Sequence, residues 1–225
     1  MSKSLFAIAI AAALVSTPLW PARANLLTNG SFEIGTFNPP MEDTVSLFSG
    51  DTELTGWTVV NGSTSAPSNL AWIGPSNPFG LTAEDGSYFL DLTGYADAAP
   101  YGGVQQSITT VMGQEYALTF YLGSSSIYNT APDSITAMAG STSGNFTNTL
   151  TGTNNWELET LDFVAGGPST VITLTGLSGG KYIGLDNVSV DPVPEPSTLA
   201  ILGSALMGVG LLGFLRMRRH SLGAT

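Results

Sequence analysis

The stretch Tyr116-Ala117-Leu118-Thr119-Phe120-Tyr121-Leu122 decides the fold of this chain. Large apolar side chains at positions 116, 118, 120 and 122 share one face of an extended backbone, because successive side chains of a strand point to opposite sides. The other face carries smaller or more polar side chains at 117, 119 and 121. A period of two is typical of a strand with one face in a hydrophobic core. The pattern predicts a central β-strand.

Short runs rich in β-branched and aromatic residues recur on both sides of this stretch, between clusters of Gly, Asn, Ser and Pro. This is the pattern of short strands in a β-sandwich or barrel, and residues 25–190 show no sustained helical period. In the run at 157–164 the apolar phase slips once, which indicates a β-bulge. Further strands are predicted at 26–32, 45–48, 57–60, 71–73, 88–92, 104–108, 134–139, 145–150, 157–164, 170–174 and 182–190.

The first 24 residues have the layout of a secretory signal peptide. Lys3 precedes an apolar core at 5–15, and Pro18 then breaks the helical pattern. Ala22-Arg23-Ala24 supplies a small-x-small cleavage site before Asn25. The layout predicts a signal helix over 1–24 that signal peptidase removes, which leaves an exported domain at 25–191.

A second apolar run lies near the other end of the chain, at 199–215. It is uncharged and just reaches the length of about 17–25 residues that a helix needs to cross a bilayer. Arg216, Arg218 and Arg219 follow directly, and such a cluster favours the cytoplasmic side. The run predicts a C-terminal transmembrane helix with the preceding domain outside the cytoplasm.

Residues 192–225 resemble the PEP-CTERM sorting signal of exopolysaccharide-producing Gram-negative bacteria. Its three parts stand here in order: Pro194-Glu195-Pro196, the apolar helix 199–215 and an Arg-rich end. The resemblance implies recognition by an exosortase, a membrane transpeptidase-like enzyme that cuts near the motif. The protein is then an inner-membrane-anchored precursor that reaches the cell envelope or extracellular matrix. An ordinary C-terminal membrane anchor is the alternative.

The exported domain is strongly acidic and contains a single cation. The whole chain has 17 Asp and Glu against 6 Lys and Arg, for a net charge of −11, and Lys181 is the only Lys or Arg between residues 25 and 190. Nucleic acid is therefore not expected as a partner, because phosphate binding needs clustered Lys and Arg.

The chain lacks the residues of most hydrolase mechanisms. It has no Cys, and its one His, His220, lies beyond the predicted membrane helix. Ser-His-Asp, Cys-His and typical zinc chemistry are therefore excluded from the exported domain, as are disulfides. Carboxylate-dependent cleavage of a glycan stays open, with the pairs Glu84/Asp85 and Glu157/Glu159 as candidates. Solvated surface acids explain these pairs better, so we predict no catalytic residues and no enzyme.

Both ends of the exported domain carry a further resemblance. The stretch 26–33 (LLTNGSFE) followed by 56–59 (GWTV) resembles the opening of galactose-binding-like jelly-roll modules, a class with many carbohydrate-binding domains. The stretch 184–190 (GLDNVSV) resembles their closing strand, and 103–108 with 113–120 fits their middle strands. The resemblance implies an all-β, jelly-roll β-sandwich that binds carbohydrate.

The same resemblance implies a structural Ca²⁺ ion where the first and last strands meet. Its ligands are the carboxylates at the positions of Glu33 and Asp186, with main-chain carbonyls. Ca²⁺ takes six to eight oxygen ligands, which an acidic chain can offer. The alternative is that Glu33 and Asp186 only make hydrogen bonds within turns.

Aromatic side chains in loops are the expected carbohydrate contacts, because sugar C–H faces stack on rings while amides and acids bind the hydroxyls. Trp72, Tyr95 and Tyr101 lie in or beside loops rich in Pro, Gly, Asn and Ala, where exposure is expected. Gln105 and Gln106 are the expected polar partners, with Asp91 and Trp156 as further candidates.

These observations predict an exported cell-envelope protein that binds extracellular polysaccharide or forms part of a biofilm matrix. Two alternatives stay open. One is a structural, adhesive or ice-binding-type surface protein without a defined pocket, since Thr-x-Thr spacing occurs within 145–155 and at 173–175. The other is a glycan-cleaving enzyme that uses two carboxylates.

Overall fold

The computed structural model describes residues 25–125, 127–128, 132–150 and 155–194. Over those residues the chain forms strands, turns and bends, and no helix there is long and apolar enough to cross a membrane. The signal peptide at 1–24, the helix at 199–215 and most of the sorting motif lie outside the described residues. The strands are β1 Thr44–Leu47, β2 Thr58–Val60, β3 Leu70–Ile73, β4 Phe89–Asp91, β5 Gly103–Thr109, β6 Glu115–Ser124, β7 Ser134–Ala139, β8 Thr142–Thr147, β9 Asn155–Val164, β10 Ser169–Ser178 and β11 Ile183–Pro192.

The strands pair into two antiparallel sheets. One sheet has the order β1-β3-β4-β11-β6-β9, and the other has the order β2-β5-β10-β7-β8. Strands β4 to β11 alone give the sets β4-β11-β6-β9 and β5-β10-β7-β8, which is the strand order of an eight-stranded jelly roll. The all-β, jelly-roll β-sandwich expected from the sequence is confirmed.

The two sheets bury the main core between them. Strand β6 lies between β11 and β9, as expected for a central strand, and its side chains at 116, 118, 120 and 122 are all buried. They share the interior with Ile172 and Leu174 of the opposing sheet, which are fully buried. Burial of one face of each sheet against the other stabilises the sandwich.

The bulge expected at 157–164 is wrong. Strand β9 pairs with β6 without a slip, from Val164 opposite Glu115 to Asn155 opposite Ser124. The phase appeared to slip because Leu158 points outward and is 54% exposed. A register shift occurs instead in β11, between residues 186 and 189, where Asn187 has a positive φ of 45°.

The predicted first strand, at 26–32, is a series of bends instead. Asn29 and Phe32 both have a φ of 58°, which interrupts an extended backbone. Two backbone hydrogen bonds still tie the segment to β11, from the Leu26 amide to the Val190 carbonyl and from the Val188 amide to the Gly30 carbonyl. The chain therefore enters and leaves the domain at the same end of the sandwich.

The outer face of the six-stranded sheet is covered by a loop and forms a second apolar cluster. Trp156 of β9 lies across Gly123, where an added Cβ atom would come within 2.5 Å of the indole ring. The Trp156 indole N–H donates to the Thr82 carbonyl at 2.9 Å and so holds the loop on the sheet. The cluster consists of Ala71, Ile73, Leu81, Phe89 and Tyr182, with Phe79, Ala83 and Trp156 packed against it.

Among residues 25–125, 127–128, 132–150 and 155–194, no loop covers the outer face of the five-stranded sheet, and its strands carry no charge. None of its strands contains Asp, Glu, Lys or Arg. Alternation along the paired strands places small polar and a few apolar side chains on this face. They include Thr58, Gln105, Ser107, Thr136, Met138, Asn145, Val171, Thr173 and Thr175.

Candidate functional site

A cavity opens on the outer face of the six-stranded sheet, at the end where β11 begins. Its volume is about 130 Å³. Strands β1, β3 and β4 form its floor, and the connections that follow β3, β4 and β6, together with the turn before β11, form its walls. Its lining consists of Thr44, Ala71, Ile73, Phe79, Asp91, Gly94, Tyr95, Asp97, Tyr128, Lys181 and Tyr182.

Aromatic rings form one wall of the cavity. Phe79 and Tyr182 have ring centroids 5.6 Å apart, and Tyr128 lies 6.0 Å from Phe79 and 6.5 Å from Tyr182. Tyr128 is 37% exposed, whereas Tyr182 is only 4% exposed. The Tyr182 hydroxyl is buried without a hydrogen-bond partner. Since buried polar atoms are normally paired, this hydroxyl is available to a bound molecule.

Asp91 is a buried carboxyl at the floor of the cavity. Its Oδ1 accepts hydrogen bonds from the Thr93 amide at 2.9 Å, the Thr93 hydroxyl at 2.9 Å and the Ile183 amide at 3.1 Å. Its Oδ2 accepts only a longer bond of 3.2 Å from the same hydroxyl. Burial raises the pKa of Asp91 to about 8, although these hydrogen bonds oppose the rise.

A charged pair stands beside the cavity mouth. The Lys181 ammonium lies 3.3 Å from Asp97 Oδ2, and the two side chains are 58% and 36% exposed. Lys181 directly precedes Tyr182, so the turn before β11 supplies both a cation and a ring. These groups can hydrogen-bond a polar ligand that the rings hold.

A shallow depression continues the cavity on the far side of Tyr95. Its volume is about 500 Å³, and it shares Thr44 and Tyr95 with the cavity. Tyr95 is 42% exposed and separates the two spaces. The depression is otherwise lined by Pro40, Met41, Ser46, Ala66, Pro67 and Ser68. A chain-like ligand could therefore extend beyond the cavity.

Glu33 and Asp186 both hold the loop that covers the six-stranded sheet. Glu33 Oε1 accepts from the amides of Ser87 and Tyr88, each at 2.8 Å. Asp186 Oδ2 accepts from the amides of residues 84 and 85, and its Oδ1 accepts from the amide of residue 187. Burial raises the pKa of Asp186 to about 8.

As placed, Glu33 and Asp186 face N–H donors, which are the wrong partners for a cation. No group of three Asp, Glu, His or Cys side chains that could hold a metal occurs among the described residues. Only the bond from the amide of residue 187 is local, as in the turn alternative, whereas the others join distant segments of the chain. The calcium ion stays a prediction.

Comparison with known families places this geometry in context. Residues 25–180 match the family described as protein of unknown function DUF642. The chain belongs to the DUF642 family. No curated protein sequence matches it significantly.

Several solved structures are similar to the DUF642 domain at low sequence identity. TmCBM61 in complex with β-1,4-galactotriose is 16% identical, with a TM-score of 0.48, over 76% of this chain and 99% of that chain. A putative sugar binding protein from Bacteroides thetaiotaomicron is 11% identical, with a TM-score of 0.48, over 76% and 100%. A family 35 carbohydrate binding module from Clostridium thermocellum is 14% identical, with a TM-score of 0.42, over 65% and 96%.

Of the five ligand contacts expected from the sequence, Tyr95 alone lines the cavity of the DUF642 domain. The expected exposure of Trp72 is wrong, because this side chain is 1% exposed. Its ring packs between the sheets against Phe37 and Tyr88, and its indole N–H donates to the Phe32 carbonyl at 3.0 Å. Trp72 alternates with outward-facing neighbours on β3, so strand parity turns it into the core.

The other three expected contacts lie apart from the cavity. The Tyr101 hydroxyl donates to the Gly179 carbonyl at 3.1 Å, and the side chain is half-buried. Gln105 lies on the uncharged outer face of the five-stranded sheet. Gln106 is paired with the backbone of Thr28, accepting from its amide at 2.7 Å and donating to its carbonyl at 2.9 Å.

Sequence reasoning missed Phe79, Tyr128 and Tyr182 as cavity residues. The signal that could have found one of them was the pair Lys181-Tyr182, which sets the domain's only cation beside a ring just before the closing strand. The carboxyl pairs singled out earlier, 84/85 and 157/159, do not line the cavity.

Proposed function

We propose that the DUF642 domain binds extracellular polysaccharide in the cavity on the outer face of its six-stranded sheet. The observation that supports this is the combination of aromatic walls with a few polar groups in one concave site, which is typical of carbohydrate recognition. Partly exposed rings, Tyr95 and Tyr128, offer faces to a sugar ring. Asp97 and Lys181 reach its hydroxyls, and the depression beyond Tyr95 receives neighbouring sugars.

The same proposal includes the route by which the protein reaches its ligand. Signal peptidase removes residues 1–24, and the helix at 199–215 holds a precursor in the inner membrane. An exosortase then recognises Pro194-Glu195-Pro196 and passes the domain to the cell envelope or extracellular matrix. This route rests on the sequence patterns at the two ends of the chain.

Affinity electrophoresis of the purified full chain in gels that contain the host's exopolysaccharide tests the binding. We expect retardation, and we expect Tyr95→Ala or Tyr128→Ala to weaken binding about tenfold, because each loses a stacking face. Val171→Ala is the matched control, since it truncates an apolar side chain that is 45% exposed on the other sheet. A folded protein that migrates freely, or a control as damaging as the two tyrosine variants, would contradict the proposal.

The same gels, run with Ca²⁺ and then with a chelator, test the calcium prediction. If Ca²⁺ fixes the junction of Glu33 and Asp186, the chelator lowers the thermal midpoint of unfolding as well as the retardation. An unchanged midpoint would show that the hydrogen bonds to the loop amides are sufficient.

A second candidate function is glycan cleavage, favoured by the two carboxyls, Asp91 and Asp97, that line the cavity. With a pKa of about 8, Asp91 could donate a proton to a leaving oxygen near neutral pH. Binding is the better supported function, because Asp91 Oδ1 already accepts three bonds and Asp97 is paired with Lys181. Release of reducing ends by the wild type, lost in Asp91→Asn and Asp97→Asn, would favour cleavage.

A further inference from the structure

The charges of the ionisable side chains that line the cavity do not balance. Lys181 and Asp97 neutralise each other beside the mouth, 3.3 Å apart. Asp91 remains at the floor, 2% exposed, and no cationic side chain among the described residues pairs with it. A buried carboxylate without a cation is costly, which is why burial raises the pKa of this group.

The free acceptor capacity of Asp91 lies on one oxygen. The amides of Thr93 and Ile183 both donate to Oδ1. Oδ2 lies 3.2 Å from the Thr93 hydroxyl alone, and Oδ1 and the Lys181 carbonyl, each at 2.9 Å, compete for the one proton of that hydroxyl. A second unused polar atom lines the same cavity, because the Tyr182 hydroxyl is buried without a partner. Both atoms can accept a hydrogen bond from an N–H donor.

The rings of the cavity suit a cation as well as a sugar ring. Tyr128 and Tyr182 are nearly parallel, with an interplanar angle of 22°, and Phe79 is tilted against both of them. The faces of aromatic rings attract ammonium groups, most strongly where water is excluded. An ammonium group at the floor would thus meet a carboxylate oxygen, a hydroxyl and aromatic faces.

We propose that this cavity takes an amino sugar with a free amine, so that the ligand is a polysaccharide that contains unacetylated amino sugars. The amine donates to Asp91 Oδ2 and to the Tyr182 hydroxyl, and Tyr95 stacks against the sugar ring. This inference rests on the proposed polysaccharide binding and names its chemical class. An acidic glycan would meet the acidic surface of the domain with like charge, and a neutral one would supply no cation to Asp91, which its raised pKa then keeps protonated.

Three trimers that differ only at carbon 2 test the inference. β-1,4-linked glucosamine, N-acetylglucosamine and glucose trimers present an amine, an acetamide and a hydroxyl on the same backbone. We expect isothermal titration of the full chain at about pH 7 to give at least tenfold tighter binding of the glucosamine trimer. Equal or tighter binding of either other trimer would overturn the inference, whether or not the exopolysaccharide retards the protein.

Variants distinguish the contribution of the Asp91 carboxylate to binding from that of the aromatic rings. Asp91→Asn should remove the preference for glucosamine over glucose, while Thr173→Ala on the uncharged face should leave that preference unchanged. If Asp91→Asn does not fold, Tyr128→Leu should still lower the preference by removing one ring. Preserved preference in either folded variant would overturn the inference. Failure of all three trimers would also overturn it, whereas failure of exopolysaccharide retardation would overturn the proposed function itself.

Discussion

The outer faces of the two sheets differ in whether a loop covers them, in their charge and in the types of side chain they carry. On the six-stranded sheet a loop and the rings of Phe89, Trp156 and Tyr182 build a second apolar cluster beside the cavity. On the five-stranded sheet the strands are uncharged, and their outward side chains are mostly Ser, Thr, Asn and Gln without a covering segment among the described residues. The outer face of the six-stranded sheet therefore has the apolar packing of a core and a cavity that can hold a ligand. The outer face of the five-stranded sheet is solvated.

The difference also explains where the buried carboxyls lie. Asp91 and Asp186 both project from the six-stranded sheet into the covered layer, where backbone amides hydrogen-bond them. Acids can be buried there because nearby groups supply donors at short range: the covering loop to Asp186, and Thr93 and Ile183 to Asp91. The strands of the five-stranded sheet contain no acids, although Asp133, directly before β7, is also fully buried.

The largest expected difference between the two faces concerns stability. Phe89→Ala should lower the free energy of unfolding by about 3–5 kcal/mol, because Phe89 is fully buried and packs edge-on against Trp156, 5.6 Å away. Val171→Ala should cost about 0.5 kcal/mol or less, since Val171 is 45% exposed on the uncharged face. Urea unfolding of both variants measures this. Similar losses would mean that the covered layer is not a second core.

The next effect depends on pH. Because burial raises the pKa of Asp186 from its ordinary value of 3.8 to about 8, the folded state holds more protons than the unfolded state between these pH values. The free energy of unfolding should therefore fall as pH rises from 5 to 8, by a few kcal/mol when Asp91 contributes as well. Asp186→Asn should flatten the slope, and Asp162→Asn, at an exposed acid of β9, should not. Equal slopes in all three proteins would contradict the burial of Asp186.

The smallest of these effects tests the contact between a ring and a glycine. Gly123→Ala should cost about 1–3 kcal/mol, because the added Cβ atom would meet the Trp156 ring at 2.5 Å. Gly166→Ala is the matched control, since an added Cβ atom there meets nothing within 4 Å. Thermal unfolding, with Trp fluorescence as the probe, compares them. A shift in the control as large as that of Gly123→Ala would remove the evidence for close packing over β6.

Local patterns predicted the strands well because alternation is a property of a few consecutive residues. The central position of β6 and the limits of β7, Ser134–Ala139, followed from such patterns. Trp72 was misjudged because loops flank a strand of only four residues, and only its pairing with β1 and β4 decides which side faces the core. The cavity could not be predicted, since its lining comes from separate segments between residues 44 and 182 that only the strand order brings together.

The first and last residues of the domain lie at the same end of the sandwich, and this end is opposite the cavity. Val190 and Val193 lie at the far end of β11 from Tyr182, next to Leu26 and Glu115. Ten strand residues span about 33 Å, so the cavity lies at the opposite end of β11 from residues 26 and 193. If the segment after residue 194 anchors the domain, as proposed above, the cavity lies at the end of the domain remote from the anchor. Fusion partners or labels can be attached at both ends without blocking the cavity.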